Sequence, residues 1–218
     1  MNVRKAMILA AHADDETLGA GGLIQKLVKK NWDVSVVVMS DGKISVRDSI
    51  QDNRPDTFRA CKALGVTHEP TFLGFPDQKF DTIPMADLAN AVLSLNLDPD
   101  LIVTHVDTDL NLDHRLTLDV AKIAGRPKRK AISMLGMEIS TVTMWNGQPF
   151  AANYYVDITS EIDTKIDAFS LYTNEVQRYP HPISREGLKL VAQYHGMQCG
   201  YGFAEAFHLI RGCENLLP

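Results

Sequence analysis

Four short aliphatic runs, "AMILAAH" (6–12), "VSVVVMS" (34–40), "PTFLGF" (70–75) and "LIVTHV" (101–106), constrain this chain more than any other feature. Each has the length of a strand buried on both faces. The intervals between them carry helical spacing: "LGAGGLIQKLVKKN" places Leu18, Leu23, Ile24 and Leu27 on one face, "RPDTFRACKALGV" closes on Gly65 as a C-cap, and "MADLANAVLSLN" forms a third. Strand alternating with helix requires right-handed crossovers between parallel neighbours. The expected fold is therefore α/β, a Rossmann-like three-layer sandwich with a mostly parallel sheet. Beyond about residue 125 the pattern loosens, with a strand expected at 153–159, a helix over 160–172 and another over 185–196. No Ser/Gly linker, charge block or repeat intervenes, so one domain over residues 1–218 is expected, its last part adding edge strands and covering the site.

Both dense clusters of charge follow apolar runs. "HADDE" (12–16) comes after the first and "HVDTDLNLDHR" (105–115) after the fourth, and ligands of open parallel sheets bind beyond the carboxyl ends of strands. A hydrolytic zinc takes three protein ligands, often two histidines and a carboxylate, and keeps a place for water. His12, Asp15 and His114 supply that set. Asp14 and Asp15 point in different directions on a loop entering a helix, so one can bind metal while the other faces the water as a base. Glu16 suits a bond to a backbone amide or to the back of a ligand histidine. Carboxylates at a helix start also serve as plain caps, but two His/Asp clusters at two strand ends favour a metal. "GAGG" (19–22) lacks the G-x-G-x-x-G spacing and reads as close packing of the first helix on the sheet.

Composition excludes some partners. The net charge is −5 with no basic run longer than "PKRK" (127–130), so nucleic acid is not expected. Three cysteines, Cys61, Cys199 and Cys213, form no CxxC pair and no even set, which suits a reducing compartment and small buried residues. The N-terminal stretch has no signal-peptide cleavage pattern, and no run approaches the ~18 apolar residues of a membrane span. A cytoplasmic protein without an integral membrane segment is expected, with homo-oligomerisation left open.

"AHADDETLGAGG" resembles the AHPDDE signature of the LmbE/PIG-L family of zinc-dependent de-N-acetylases, and "DLNLDHR" resembles its second metal segment. "RPDTFRACKALGV", "FLGFPDQKFD", "EISTVTMW", "YVDITSEIDTKIDA", "YPHPIS" and "AEAFHLIR" follow in the family's order, so the resemblance covers essentially the whole chain. It implies His12, Asp15 and His114 as ligands of one Zn2+, with Fe2+ a conceivable substitute. It also implies Asp14 as general base and an N-acetylated amino sugar, of N-acetylglucosamine type, free or conjugated, as the small-molecule substrate. Two departures stand out: Ala13 replaces the usual Pro, and Asn111 stands where several relatives carry His.

Five further positions are candidates. His181, in a Pro-flanked turn, is placed as a donor to the developing oxyanion. Arg54, as a planar fork, and Asp77, as an acceptor, are candidates for binding sugar, as are Asn111 and Glu138, the latter after a further apolar run. His68, His195 and His208 read as structural. Two alternatives to the hydrolase are a non-catalytic sugar- or nucleotide-binding module on the same fold and a non-haem Fe(II) enzyme, whose triad normally rides on a β-barrel.

Overall fold

The structure is a computed structural model that describes residues 3–46, 49–128, 130–214 and 217; Arg129 of the short basic run lies outside them. Strands β1 (Lys5–Ala10), β2 (Asp33–Ser40), β5 (Thr71–Phe75), β6 (Leu101–Thr104), β7 (Ser133–Met137), β8 (Tyr154–Asp157) and β9 (Ala204–Arg211) form one sheet in the order β5-β2-β1-β6-β7-β9-β8. The first five are parallel, while β9 runs antiparallel to both β7 and β8. A separate hairpin joins β3 (Lys43–Val46) to β4 (Ser49–Asp52). The expected α/β architecture is thus observed, and the four aliphatic runs are β1, β2, β5 and β6. β8 is an edge strand as expected, whereas β9 lies inside the sheet.

The helices are α1 (Asp15–Lys29), α2 (Arg54–Ala63), α3 (Met85–Ser94), α4 (Leu112–Ala124), α5 (Ser140–Met144), α6 (Ile162–Phe169) and α7 (Arg185–Cys199). Strand alternation sorts them into layers. Ala6, Ile8 and Ala10 of β1 join one core with α1, α2, α6 and α7, while Met7 and Leu9 join another with α3 and α4. Three layers result, the sheet in the middle.

Two details of α1 follow from its glycines. A Cβ on Gly19 would lie 2.6 Å from Met137 Sδ, and one on Gly22 would lie 2.5 Å from Ile158 Cγ2, so "GAGG" lets the helix lie close on its neighbours. The helix is interrupted at Ala20 (φ −142°, ψ 16°), and there the buried Glu205 carboxylate accepts from the N–H groups of Gly22 (2.8 Å) and Leu23 (2.7 Å) and from Lys165 Nζ (2.6 Å).

The strand order sets where a ligand fits. From β1 the sheet continues through β2 on one side and β6 on the other. The loops leaving β1 and β6 therefore diverge, and a crevice opens beyond their carboxyl ends. "HADDE" leaves β1 and "HVDTDLNLDHR" leaves β6, so the topology brings the two clusters face to face.

A candidate metal centre at the ends of β1 and β6

Asp14 begins the site with a backbone conformation rare outside glycine, φ +118°. Such a residue costs on the order of 1–3 kcal/mol and persists only when its surroundings hold it. Glu16 supplies that hold: its Oε2 accepts from the Asp14 N–H at 3.1 Å, and its Oε1 accepts from Tyr172 OH and Thr17 Oγ1, both at 2.5 Å. Burial pushes the Glu16 carboxyl up, against these hydrogen bonds. The backbone-amide role foreseen for Glu16 is the one observed.

This turn delivers Asp15 to the first residue of α1, buried beside both histidines. His12 Nδ1 and His114 Nε2 lie 3.1 Å apart, and Asp15 Oδ2 is 3.6 Å from the first and 3.3 Å from the second. Donors at 2.0–2.1 Å around a tetrahedral ion stand about 3.3–3.4 Å from one another, so this triangle has the size of a zinc site. At 3.1 Å the two imidazole nitrogens either share a proton in a hydrogen bond or, with both lone pairs turned inward, can bind a cation together.

The outward nitrogens explain why the inward ones present lone pairs. His114 Nδ1 donates to Asp109 Oδ2 at 2.8 Å, and His12 Nε2 lies 3.2 Å from Asp113 Oδ2 and 3.1 Å from Asp77 Oδ1. A carboxylate behind each ring fixes the tautomer and raises its basicity as a ligand. The sets His105/Asp109/His114 and His12/Asp77/Asp113 are also close enough to hold an ion, but each uses a nitrogen already engaged from behind. Only the His12/Asp15/His114 set is entirely in the wall of the cleft. His105, fully buried, accepts the Ala11 N–H on its Nε2 at 2.9 Å and stacks on His114 with centroids 3.9 Å apart; burial holds its pKa well down.

The field of the site is strongly negative. Burial pushes the Asp14 carboxyl well up, and Asp15, Glu175, Glu16 and Asp77 push it further. Burial would lower His114, but Asp15 and Asp109 outweigh it and carry the imidazole up to about 10. Asp15, despite its burial, is held low by His114, His105 and His12. With the carboxylates crowded together around two imidazoles and no lysine or arginine among the described lining residues, the donor set fits a divalent cation.

The sequence profile of the PIG-L family, described as GlcNAc-PI de-N-acetylase, matches residues 7–124, which contain every one of these ligand candidates. The chain belongs to the PIG-L family. A diacetylchitobiose deacetylase of Thermococcus kodakarensis is 22% identical over 97% of this chain and 85% of its own length. The solved N,N'-diacetylchitobiose deacetylase of Pyrococcus horikoshii superposes with a TM-score of 0.76 at 20% identity, over 96% of this chain and 84% of that one. The 4-carboxy-2-hydroxymuconate hydratase of Pseudomonas putida KT2440 also reaches 0.76, at 19% identity, over 99% and 100%. Structural likeness at such identities establishes the fold, and a fold shared with a hydratase carries more than one chemistry.

In this PIG-L chain, the cleft at the centre has a volume of about 230 Å³ and is lined by His12, Asp14, Asp15, Asp77, Asn111 and His114, with Ile139, Ile183 and others above them. Asn111 is the N-cap of α4, its Oδ1 accepting from the Asp113 N–H at 2.9 Å. Arg54, Glu138 and His181 are not in the lining. Arg54 pairs at the surface with Asp52, at 2.8 and 2.6 Å. Glu138 accepts from His195 Nε2 at 2.7 Å and from Thr143 Oγ1 at 3.2 Å. His181 stands edge-on to Trp145 with centroids 5.4 Å apart, and its Nδ1 accepts from the N–H of Ile183, a lining residue, at 3.4 Å.

Sequence reasoning missed Glu175 in the cleft wall and did not single out Asp109 and His105 behind the ligands. His68, read as structural, pairs with Asp33, and His208 with the Ala151 carbonyl. Cys61 is buried as expected, whereas Cys199 and Cys213 are half-exposed.

Proposed function

We propose that this chain is a metal-dependent hydrolase that removes the acetyl group from an N-acetylated amino sugar of N-acetylglucosamine type, with His12, Asp15 and His114 holding one ion and Asp14 acting as general base. The observation that carries this reading is the pair of adjacent acids: Asp15 belongs to the ligand triangle, while Asp14 faces the cleft from a strained turn. Zinc is the proposed ion, because the triangle of two nitrogens and one oxygen has its dimensions. A bound divalent ion supplies a water acidified towards neutrality and a Lewis acid for the acetamide oxygen.

The residues of the chain do the rest. Asp14 takes the proton of the attacking water, a task suited to a carboxyl whose surroundings have already raised its affinity for a proton. After attack on the acetyl carbon it returns that proton to the departing amine, so one group serves both steps. Asp109 and Asp113 keep the histidines turned inward. The Nδ2 group of Asn111, whose Oδ1 is committed to the cap, is one side-chain donor in the cleft wall for the developing oxyanion, and His181 is proposed as a second. Arg54, Asp77 and Glu138 are proposed to contact the sugar, of which Asp77 alone lines the cleft as it stands. The unpaired cysteines support a cytoplasmic setting, and among the described residues no helix is long and apolar enough to cross a membrane.

The test is acetate release from a panel of N-acetylated sugars by the zinc-loaded protein, without oxygen. Asp14→Asn should keep stoichiometric zinc while kcat falls roughly 10²–10⁴-fold. Loss of zinc in that variant would exchange the roles of Asp14 and Asp15, and binding without acetate release across the panel would leave only a binding module.

A further inference from the structure

The cleft carries more acid than the proposed chemistry uses. Asp15 holds the ion and Asp14 moves the proton, yet Asp77 and Glu175 line the same walls, and no lysine or arginine is among the described lining residues. Arg54, the guanidinium expected to meet the substrate, is closed onto Asp52. Glu175 is fixed rather than free: its Oε1 accepts from Asn53 Nδ2 at 2.9 Å, and Asn53 is fully buried at the N-cap of α2. One neutral donor leaves the carboxylate most of its acceptor capacity; burial, with Asp15 and Asp77, pushes its pKa up, while the bond from Asn53 and the neighbouring His12 pull it down. Of these four acids Asp15 is the proposed ligand, Asp14 the proposed base, and Asp77 lies against His12 Nε2 at 3.1 Å, which leaves Glu175 without a part in the proposed chemistry.

We propose that Glu175 is a specificity-determining residue: it makes the site select N-acetylated sugars that are uncharged or bear an amine, against those with a phosphate close to the acetamido group. The proposal rests on the deacetylase reading. A phosphate drawn into this cleft meets Asp77 and Glu175 with no compensating cation from the protein. The walls lie well within the screening length of about 8 Å at physiological ionic strength, so solvent ions relieve little of that repulsion. An ammonium group on a neighbouring sugar ring meets the same carboxylates with the opposite sign, and rejection of the wrong charge is a common route to specificity.

The experiment compares N-acetylglucosamine, its 6-phosphate and the amine-bearing disaccharide glucosaminyl-N-acetylglucosamine. Acetate release is measured on the zinc-loaded enzyme and Kd on the zinc-loaded Asp14→Asn variant, each with and without Glu175→Gln. That substitution keeps an acceptor for Asn53 and removes the charge. The wild type should favour the neutral sugar over the phosphate by about tenfold at low salt, with the gap narrowing at high salt. Glu175→Gln should narrow it about threefold and weaken binding of the amine-bearing disaccharide. Any direct contact of phosphate with the ion is common to both proteins and cancels in the comparison. An unchanged phosphate-to-neutral ratio in Glu175→Gln, in kcat/KM or in Kd, overturns the proposal. Absence of acetate from all three sugars would instead overturn the deacetylase reading, while the Kd ratios still decide the role of Glu175.

Discussion

Helix α1 meets buried charge twice, and the two encounters differ in how the charge is satisfied. At its middle, Glu205 receives two backbone N–H groups and the Lys165 ammonium, so one negative charge faces one positive charge and every bond is made. At its first residue, Asp15 accepts from the His12 N–H at 2.8 Å and faces two imidazole nitrogens, with Asp77, Asp109 and Asp113 against the same histidines and no lysine or arginine among the described lining residues. Burial costs a charged group several kcal/mol unless it is paired. The first cluster meets that cost within the chain and repairs the interruption of the helix at Ala20. The second leaves it unmet and so favours a cation from outside, as expected where a buried network serves chemistry rather than the fold.

The sharpest way to break this comparison is to spoil the closed cluster. Lys165→Met leaves Glu205 charged and buried with amide donors only, and should cost roughly 3–5 kcal/mol, read as a lower denaturant midpoint. Zinc stoichiometry should stay at the wild-type value. If zinc were lost together with stability, the two clusters would form one cooperative unit and the contrast would fall.

A smaller effect is expected from the supporting shell of the open cluster. Asp109 accepts from His114 Nδ1 and from the Asn111 backbone N–H. Asp109→Ala should weaken zinc binding about 10–100-fold, measured by competition with a chelator, because the His114 ring loses its fixed tautomer. Unaltered affinity would mean that the ring is held by its stack on His105 alone.

Helix α4 also shows why the site was only partly legible in the sequence. Strands β1, β2, β5 and β6 announce themselves because burial on both faces demands unbroken aliphatic runs. The adjacent Asp14 and Asp15 are conspicuous because acids rarely follow such a run without a reason. Helix α4 escaped because its first turn spends its positions on Asn111, Asp113 and His114, which erases the apolar spacing that marks a helix start. Glu175 escaped for a different reason: it lies in the irregular stretch after α6 and reaches the cleft only through the tertiary fold, leaving no periodicity to read. The hairpin of β3 and β4 stands outside the main sheet, and no aliphatic run marks it.

The Asn111 cap separates two roles within one residue. Asn111→Ala should cost about 1 kcal/mol, the usual loss of an N-cap, seen in the thermal or denaturant midpoint. Asn111→Asp keeps an acceptor for the Asp113 N–H and suits the helix dipole, but it has no NH₂ to offer the oxyanion. It should hold the wild-type midpoint while kcat/KM falls about tenfold or more. Normal turnover in Asn111→Asp would confine the residue to capping and shift the donor role to His181.

The smallest effect concerns His195 and Glu138, a pair that, like Glu205 with Lys165, is bonded within the chain. Both ring nitrogens are engaged, Nε2 with Glu138 Oε2 at 2.7 Å and Nδ1 with Gln198 Oε1 at 2.8 Å. Burial alone would lower the pKa of the imidazole, and Lys165 adds a little in the same sense, but the bonds to Glu138 and Gln198 and the charge of Glu138 outweigh both and raise it. A group whose folded pKa lies above its unfolded value contributes stability that is fully present below the unfolded value, about 6.5, and is lost as pH rises through the folded one. Glu138→Gln removes the charge that sustains the shift. Wild type should therefore exceed this variant in unfolding free energy most clearly near pH 6, with the difference shrinking in alkaline solution. Taking the difference between the two proteins, both free of metal, cancels the titration of His12, His105 and His114. A gap that widened with rising pH would show that His195 is neutral in the fold and that Glu138 is held by other means.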